Sequence, residues 1–176
     1  MSLQYGFHRT LTLVSSKTNA QNARRLQVMS AIQQYGVYFL HNDEQREDDF
    51  VNVTPGDFHI DFSTNMTYLF ENHSKYSASS TFFLKLVARY SIFFASLSVP
   101  FMRFPHFIFA DNMEDKGIEK ERAQKFQQTL IEKLSSHSPD DYQLIYATSY
   151  ITAELNKSPF VVGDFYTKNN KSLKNV

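Results

Sequence analysis

The 176-residue sequence contains no cysteine, which excludes a disulfide scaffold, thiolate zinc sites and a cysteine nucleophile. Neither charge is in excess, because 18 Lys plus Arg balance 18 Asp plus Glu. That balance argues against a nonspecific nucleic-acid binder, which needs a basic face to displace counterions from phosphates. Glycine is scarce. The five glycines, at 6, 36, 56, 117 and 163, nowhere form G-x-x-x-x-G-K-[ST], so this chain holds no P-loop. The first twenty residues alternate polar and apolar and hold no continuous apolar segment of the signal-peptide kind, so a cytoplasmic location is expected. On that expectation the N-x-S/T triplets at Asn52, Asn65 and Asn72 are chance matches to a glycosylation acceptor.

Aromatic residues are plentiful: 17 Phe and 10 Tyr in a chain that is 42% hydrophobic, too apolar for a disordered segment. The length suits one domain, or one lobe of something larger. The most apolar stretch, 82–99, is broken by Lys85, Arg89 and several serines. It falls short of the ~20 apolar residues that a membrane span needs and is expected to be a buried helix, with no membrane partner.

Residues 19–35 place Ala20, Ala23, Leu26, Met29 and Ile32 at steps of three, an amphipathic helix that Gly36 is expected to end. VYFL (37–40) has the look of a strand, and HNDEQREDD (41–49) that of a solvated, charged loop. Phe58, Ile60 and Phe62 alternate with polar residues before MTYLF resumes, the pattern of a hairpin with one wet face. Ser77, Ala78, Ser79 and Ser80 then open the apolar helix, and Pro100 and Pro105 close it. HFIFA (106–110) runs into Asp111 as a central parallel strand would, and Ala123, Phe126, Leu130, Ile131 and Leu134 mark one face of a following helix. YQLIYAT (142–148) is a second strand, with a short helix over 150–156, a last strand over 160–166 and a frayed basic tail after it. Strand, helix and strand in succession make a parallel crossover unit, whose ligands collect at the carboxyl ends of the strands. Asp111 and Ser149 both fall there.

Three segments in this order, YSASSTFFLKL, FPHFIFADNMEDKGIEKERAQKFQ and YQLIYATSYITAELN, resemble the C-terminal lobe of the ABC-type ATPase core of SMC- and RecF-like proteins. The resemblance covers roughly residues 58–166. It implies the C-terminal half of a P-loop NTPase core, an α/β fold with a mixed sheet, flanking helices and antiparallel strands in the N-terminal third. It also implies two parts, a helical segment over 1–36 that ends a returning coiled-coil arm and a signature, Walker B and switch lobe over 37–176.

In that family a serine at the start of the signature helix contacts the γ-phosphate held by the opposite subunit, and Ser77 corresponds to it, with Ser79 and Ser80 beside it. A helix N-terminus suits a phosphate because its free N–H groups and dipole favour negative charge. Taken alone, SASS reads as an N-cap, with Ser79 or Ser80 in the capping role. Asp111 takes the Walker B position, which holds magnesium beside the β- and γ-phosphates. Without its neighbours it reads as readily as a solvated strand-end or helix-capping aspartate.

Departures from the family pattern bear on hydrolysis. The glutamate that usually follows the Walker B aspartate is Asn112, and an amide cannot accept a proton. Glu114 could substitute only if its loop folds back. The switch residue, usually histidine, is Ser149, which bonds a phosphate but does not titrate near neutrality. With no P-loop, the nucleotide site is incomplete in this chain, which is expected to be a C-terminal fragment or excised domain. The resemblance implies ATP and Mg2+ as ligands, a P-loop-bearing N-terminal lobe and a second copy as partners, and DNA repair or maintenance as a setting.

Six scattered histidines show no H-x-x-x-H spacing, and His59 with Asp61 on one strand face is a weak metal pair. No G-x-S-x-G elbow is present. The alternative to the ATPase lobe is a non-catalytic α+β module that works through protein contacts.

Overall fold

The computed structural model describes residues 2–44, 47–70, 76–111, 117–163 and 166, with side chains from Lys17 onward. It is a mixed α/β chain built on helices, with one small antiparallel and one small parallel sheet.

Helix α1 (Ser2–His41) is 40 residues, about 60 Å at 1.5 Å per residue. Its residues 17–27 are all exposed, and from Val28 onward it joins the core. Gly36 does not end it. VYFL (37–40) is the last turn and a half of this helix and not a strand, because Val37, Phe39 and Leu40 are buried in the core together with Ile32. A glycine is tolerated there for a packing reason: a Cβ on Gly36 would lie 2.6 Å from Cε1 of the buried Phe58 ring. Gly36→Ala gains about 1 kcal/mol of helix propensity but must displace that ring, and overpacking costs about 1–3 kcal/mol. A net loss of stability in urea is expected, with Gly56→Ala, whose Cβ meets nothing within 4 Å, as the neutral control. A Gly36→Ala protein at least as stable as the parent would show that the ring has room.

The charged stretch 41–49 is only partly a solvated loop. Glu44 and Asp48 are exposed, but Asp43 is buried and Asp49 accepts a hydrogen bond from Tyr76 Oη at 2.8 Å. A short helix α2 (Asp48–Asn52) buries Phe50. The expected hairpin is present. Strands β1 (Phe58–Asp61) and β2 (Met66–Leu69) pair antiparallel, Phe58 with Leu69 and Asp61 with Met66. Asp61 Oδ1 accepts from Ser63 N (2.8 Å) and Oγ (2.6 Å), and Oδ2 from Thr64 Oγ1 (2.6 Å). These bonds, that from Ser63 first, hold the Asp61 carboxyl down to about 2. It is therefore a turn-former, and His59 stacks on Tyr68 at 5.1 Å across the hairpin, so this pair has structural partners.

Helix α3 (Ala78–Ser98) is the central core rod, burying Phe83, Leu84, Val87, Tyr90, Phe93 and Phe94. By length and composition it could span a membrane, but 67% of its most apolar window is buried within this fold. Its buried serines bond back along the helix, Ser91 Oγ to Val87 O at 2.7 Å and Ser96 Oγ to Phe93 O at 2.6 Å, whereas the buried Tyr90 hydroxyl meets no partner among the described residues. Helix α1 packs on it through Tyr35 and Phe39, both 5.4 Å from the Phe94 ring.

Strand β3 (Phe107–Asp111), helix α4 (Lys120–Leu134) and strand β4 (Gln143–Ala147) form the expected crossover, with β3 and β4 parallel and Asp111 opposite Ala147. α4 buries Ala123, Phe126, Leu130 and Leu134 on one face, with Ile131 half-buried beside them. β3 is not central, because among the described residues its sheet has two strands. It is also covered on one side only: Ile108 and Ala110 are buried, whereas Phe107 and Phe109 are 46% and 56% exposed.

The C-terminal expectations fail. Residues 150–156 form a single turn, in which Leu155 N and Asn156 N both donate to Thr152 O. It does not propagate, since one turn repays little of the nucleation cost. No strand lies among the described residues of 160–166; Phe160 N and Val161 N donate to Lys157 O, so their amides are unavailable to a ladder. The basic tail lies outside the described residues.

Candidate functional site

Ser77 is the N-cap of α3. Its Oγ accepts from Ser80 N at 3.1 Å and lies 3.1 Å from Ser79 Oγ, an arrangement in which either hydroxyl can donate. The capping role falls to Ser77 and not to Ser79 or Ser80, because Ala78 is already helical and an N-cap oxygen reaches the amide three residues on. Ser77 is exposed, Ser79 is half-buried and Ser80 is buried. The helix start thus presents one solvent-facing hydroxyl, while its third serine turns inward.

Asp111 ends β3, and alternation along the strand puts its side chain on the same exposed face as Phe107 and Phe109. The parallel register adds Gln143, Ile145 and Ala147 to that face, with Ile145 42% exposed. Asp111 is exposed at the strand end, and among the described residues no hydrogen bond or ion pair reaches its carboxylate. Ser149 lies two residues beyond β4, exposed, at the same carboxyl end of the sheet. The fold therefore brings Asp111 and Ser149 to one sheet end, as the crossover pattern requires. Asn112 and Glu114 lie outside the described residues. No group of three or more metal-ligating side chains occurs among the described residues.

The most deeply buried ion pair among the described residues is one that reading the sequence missed. Arg122, in the first turn of α4, is 2% exposed, and so is Asp43, two residues past the end of α1. The guanidinium grips the carboxylate at two points, Nε to Oδ1 at 2.8 Å and Nη2 to Oδ2 at 2.5 Å. Its third nitrogen, Nη1, donates to Ser80 Oγ at 3.3 Å, and its plane lies 4.2 Å from the centre of the Phe83 ring. A buried charge of this kind persists only when paired and hydrogen-bonded. A signal was available: Arg122 stands four residues before Phe126, on the face of α4 that the apolar spacing marks as buried.

A groove of about 320 Å³ lies between α4, β4 and the C-terminal segment, lined by Leu130, Leu134, Tyr142, Tyr146, Ile151 and Phe160 among others. It is apolar and lies beside the strand ends without including Asp111. Gln127, at its edge, donates to Tyr150 O at 3.1 Å and to Thr148 Oγ1 at 3.3 Å, which ties the turn after β4 to α4.

No protein-family model matches the chain, and no curated protein and no solved structure matches it.

Proposed function

We propose that this chain is the signature, Walker B and switch lobe of an SMC- or RecF-like ATPase, completed by a P-loop-bearing lobe and acting as a dimer. ATP is held between lobes, with Ser77 serving the γ-phosphate of the opposite site and Asp111 the magnesium of its own. The observation that supports this most is a parallel strand pair whose outer face is apolar and uncovered. Parallel strands are stable when both faces are covered, and a two-stranded sheet is marginal alone. Phe107, Phe109 and Ile145 are what a further layer from a second lobe would cover, and Asp111 stands at the rim of that contact. The 40-residue α1, whose residues 17–27 stand exposed before the helix joins the core, suits a returning arm.

Asn112 in place of a glutamate and Ser149 in place of a histidine make hydrolysis slow relative to binding. Asp111 and Ser149 act by holding ligands; neither is placed to take a proton from water.

The second reading, a non-catalytic α+β interaction module, is favoured by the same exposed Phe109 and by the missing P-loop. Two variants separate them in complex with the P-loop lobe. Phe109→Asp is expected to abolish assembly under either reading. Asp111→Ala is expected to leave assembly intact while weakening magnesium-dependent ATP binding about tenfold or more, as removal of a charged ligand does. Assembly with unchanged magnesium dependence in Asp111→Ala would defeat the nucleotide reading and leave the interaction module.

A further inference from the structure

We infer that Arg122 is a positioning residue that locks the base of the α1 arm to the start of α3, so that the arm's placement governs the geometry of Ser77; its functional meaning rests on the nucleotide reading above. Asp43 is joined to the arm directly, its N–H donating to Leu40 O at 3.1 Å. Arg122 takes the Asp43 carboxylate with Nε and Nη2 and reaches Ser80 Oγ with Nη1. Ser80 in turn donates its backbone N–H to Ser77 Oγ. Four groups thus form one unbroken chain from the end of α1 to the exposed hydroxyl at the head of α3.

The chemistry of the link makes it directional. A guanidinium is a rigid planar fork, so a shift of the Asp43 carboxylate turns the whole fork and moves Nη1 away from Ser80. Phe83 against the guanidinium face restricts the other movement, a slide out of plane. A lysine at this place would supply charge without that geometry. The lever is long: residues 17–27 of α1 stand in solvent, and the arm is anchored by the turns that lead to Asp43. Arg122 itself opens α4, the helix that follows the Asp111 strand, so one side chain ties the arm to both helices that flank the candidate site.

The test is amide hydrogen exchange on the full chain, which needs no nucleotide. Asp43→Asn keeps the shape of the side chain and is expected to speed exchange of the Ser80 amide about tenfold or more relative to the amides of 86–94 in the middle of α3. In a Ser80→Ala background, where the hydroxyl link is gone, the same substitution is expected to change the residue-80 amide less than about twofold. Ser80→Ala alone, which removes the hydroxyl but neither partner of the ion pair, is expected to speed the Asp43 amide as well, about threefold. An unchanged Asp43 amide in Ser80→Ala overturns the inference even if Asp43→Asn fails to fold, as does an Asp43→Asn effect that is equal in both backgrounds. Coupling in these exchange experiments with unchanged magnesium dependence in Asp111→Ala sinks the nucleotide reading and leaves the arm-to-α3 link standing; the opposite pair of results sinks the link alone.

Discussion

Asp43→Ala is expected to lower the unfolding free energy by about 3–5 kcal/mol, because it strands a guanidinium that the fold has sealed from water. Both partners are 2% exposed, and the contact is two-pronged. The penalty therefore reflects an uncompensated buried charge more than the loss of an attraction. Replacing both partners by apolar residues of similar size, Asp43→Leu with Arg122→Met, is expected to recover most of the loss, since exchanging a buried ion pair whole for packed side chains is often neutral or stabilising by about 1–4 kcal/mol. Urea titrations of the single and double variants check both, provided the slope stays constant. A loss under about 1 kcal/mol for Asp43→Ala, the range of a surface pair, would show that the site admits solvent.

Phe126→Ala is expected to cost about 3–5 kcal/mol, as large-to-small changes at buried aromatics do. Its ring is the meeting point of three helices. It lies 5.6 Å from Phe39 of α1, 5.5 Å from Phe83 and 5.2 Å from Tyr90 of α3, the last two edge-on. Removing it leaves a void whose walls are three rings that cannot collapse inward without turning off their rotamers. Phe126→Leu keeps most of the volume and is expected to cost less than about 1.5 kcal/mol. Phe109→Ala, at an exposed ring, is expected to stay within about 0.5 kcal/mol of the parent in the isolated chain. If Phe126→Ala and Phe109→Ala proved equal in urea titration, the three-helix core described above would be wrong.

The periodicities that carry the most apolar side chains were legible. α3, α4, the β1–β2 hairpin, and β3 and β4 all lie where the alternation or the helical spacing puts them, because in each the buried residues repeat with the period of their own element. The site residues were legible only as places. Asp111 and Ser149 reach the same carboxyl end of a parallel pair because the strand, helix and strand order demands it. Whether Ser77, Ser79 or Ser80 would cap α3 was not legible, since each can accept from an amide and only the backbone angles of the turn select one.

The errors share a physical origin. VYFL, with its β-branched and aromatic residues, suits a strand by propensity, and Gly36 suits a helix end. Both preferences amount to about 1 kcal/mol or less per residue, and burying Val37, Phe39 and Leu40 against the core outweighs them. A Gly36 held beside the Phe58 ring then makes room where any larger residue would not fit. Asp43 sits in a run of charges that reads as solvated, and nothing near it in the chain identifies Arg122 as its partner, 79 positions away.

Composition and local period thus decide which stretches coil, which extend and which side of each is apolar, because those are matters of neighbouring residues and their spacing. Long-range packing decides where α1 stops, which carboxylate is sealed inside and which sheet face is left bare. These outcomes depend on contacts between residues tens of positions apart, whose energies exist only after the helices and strands have met.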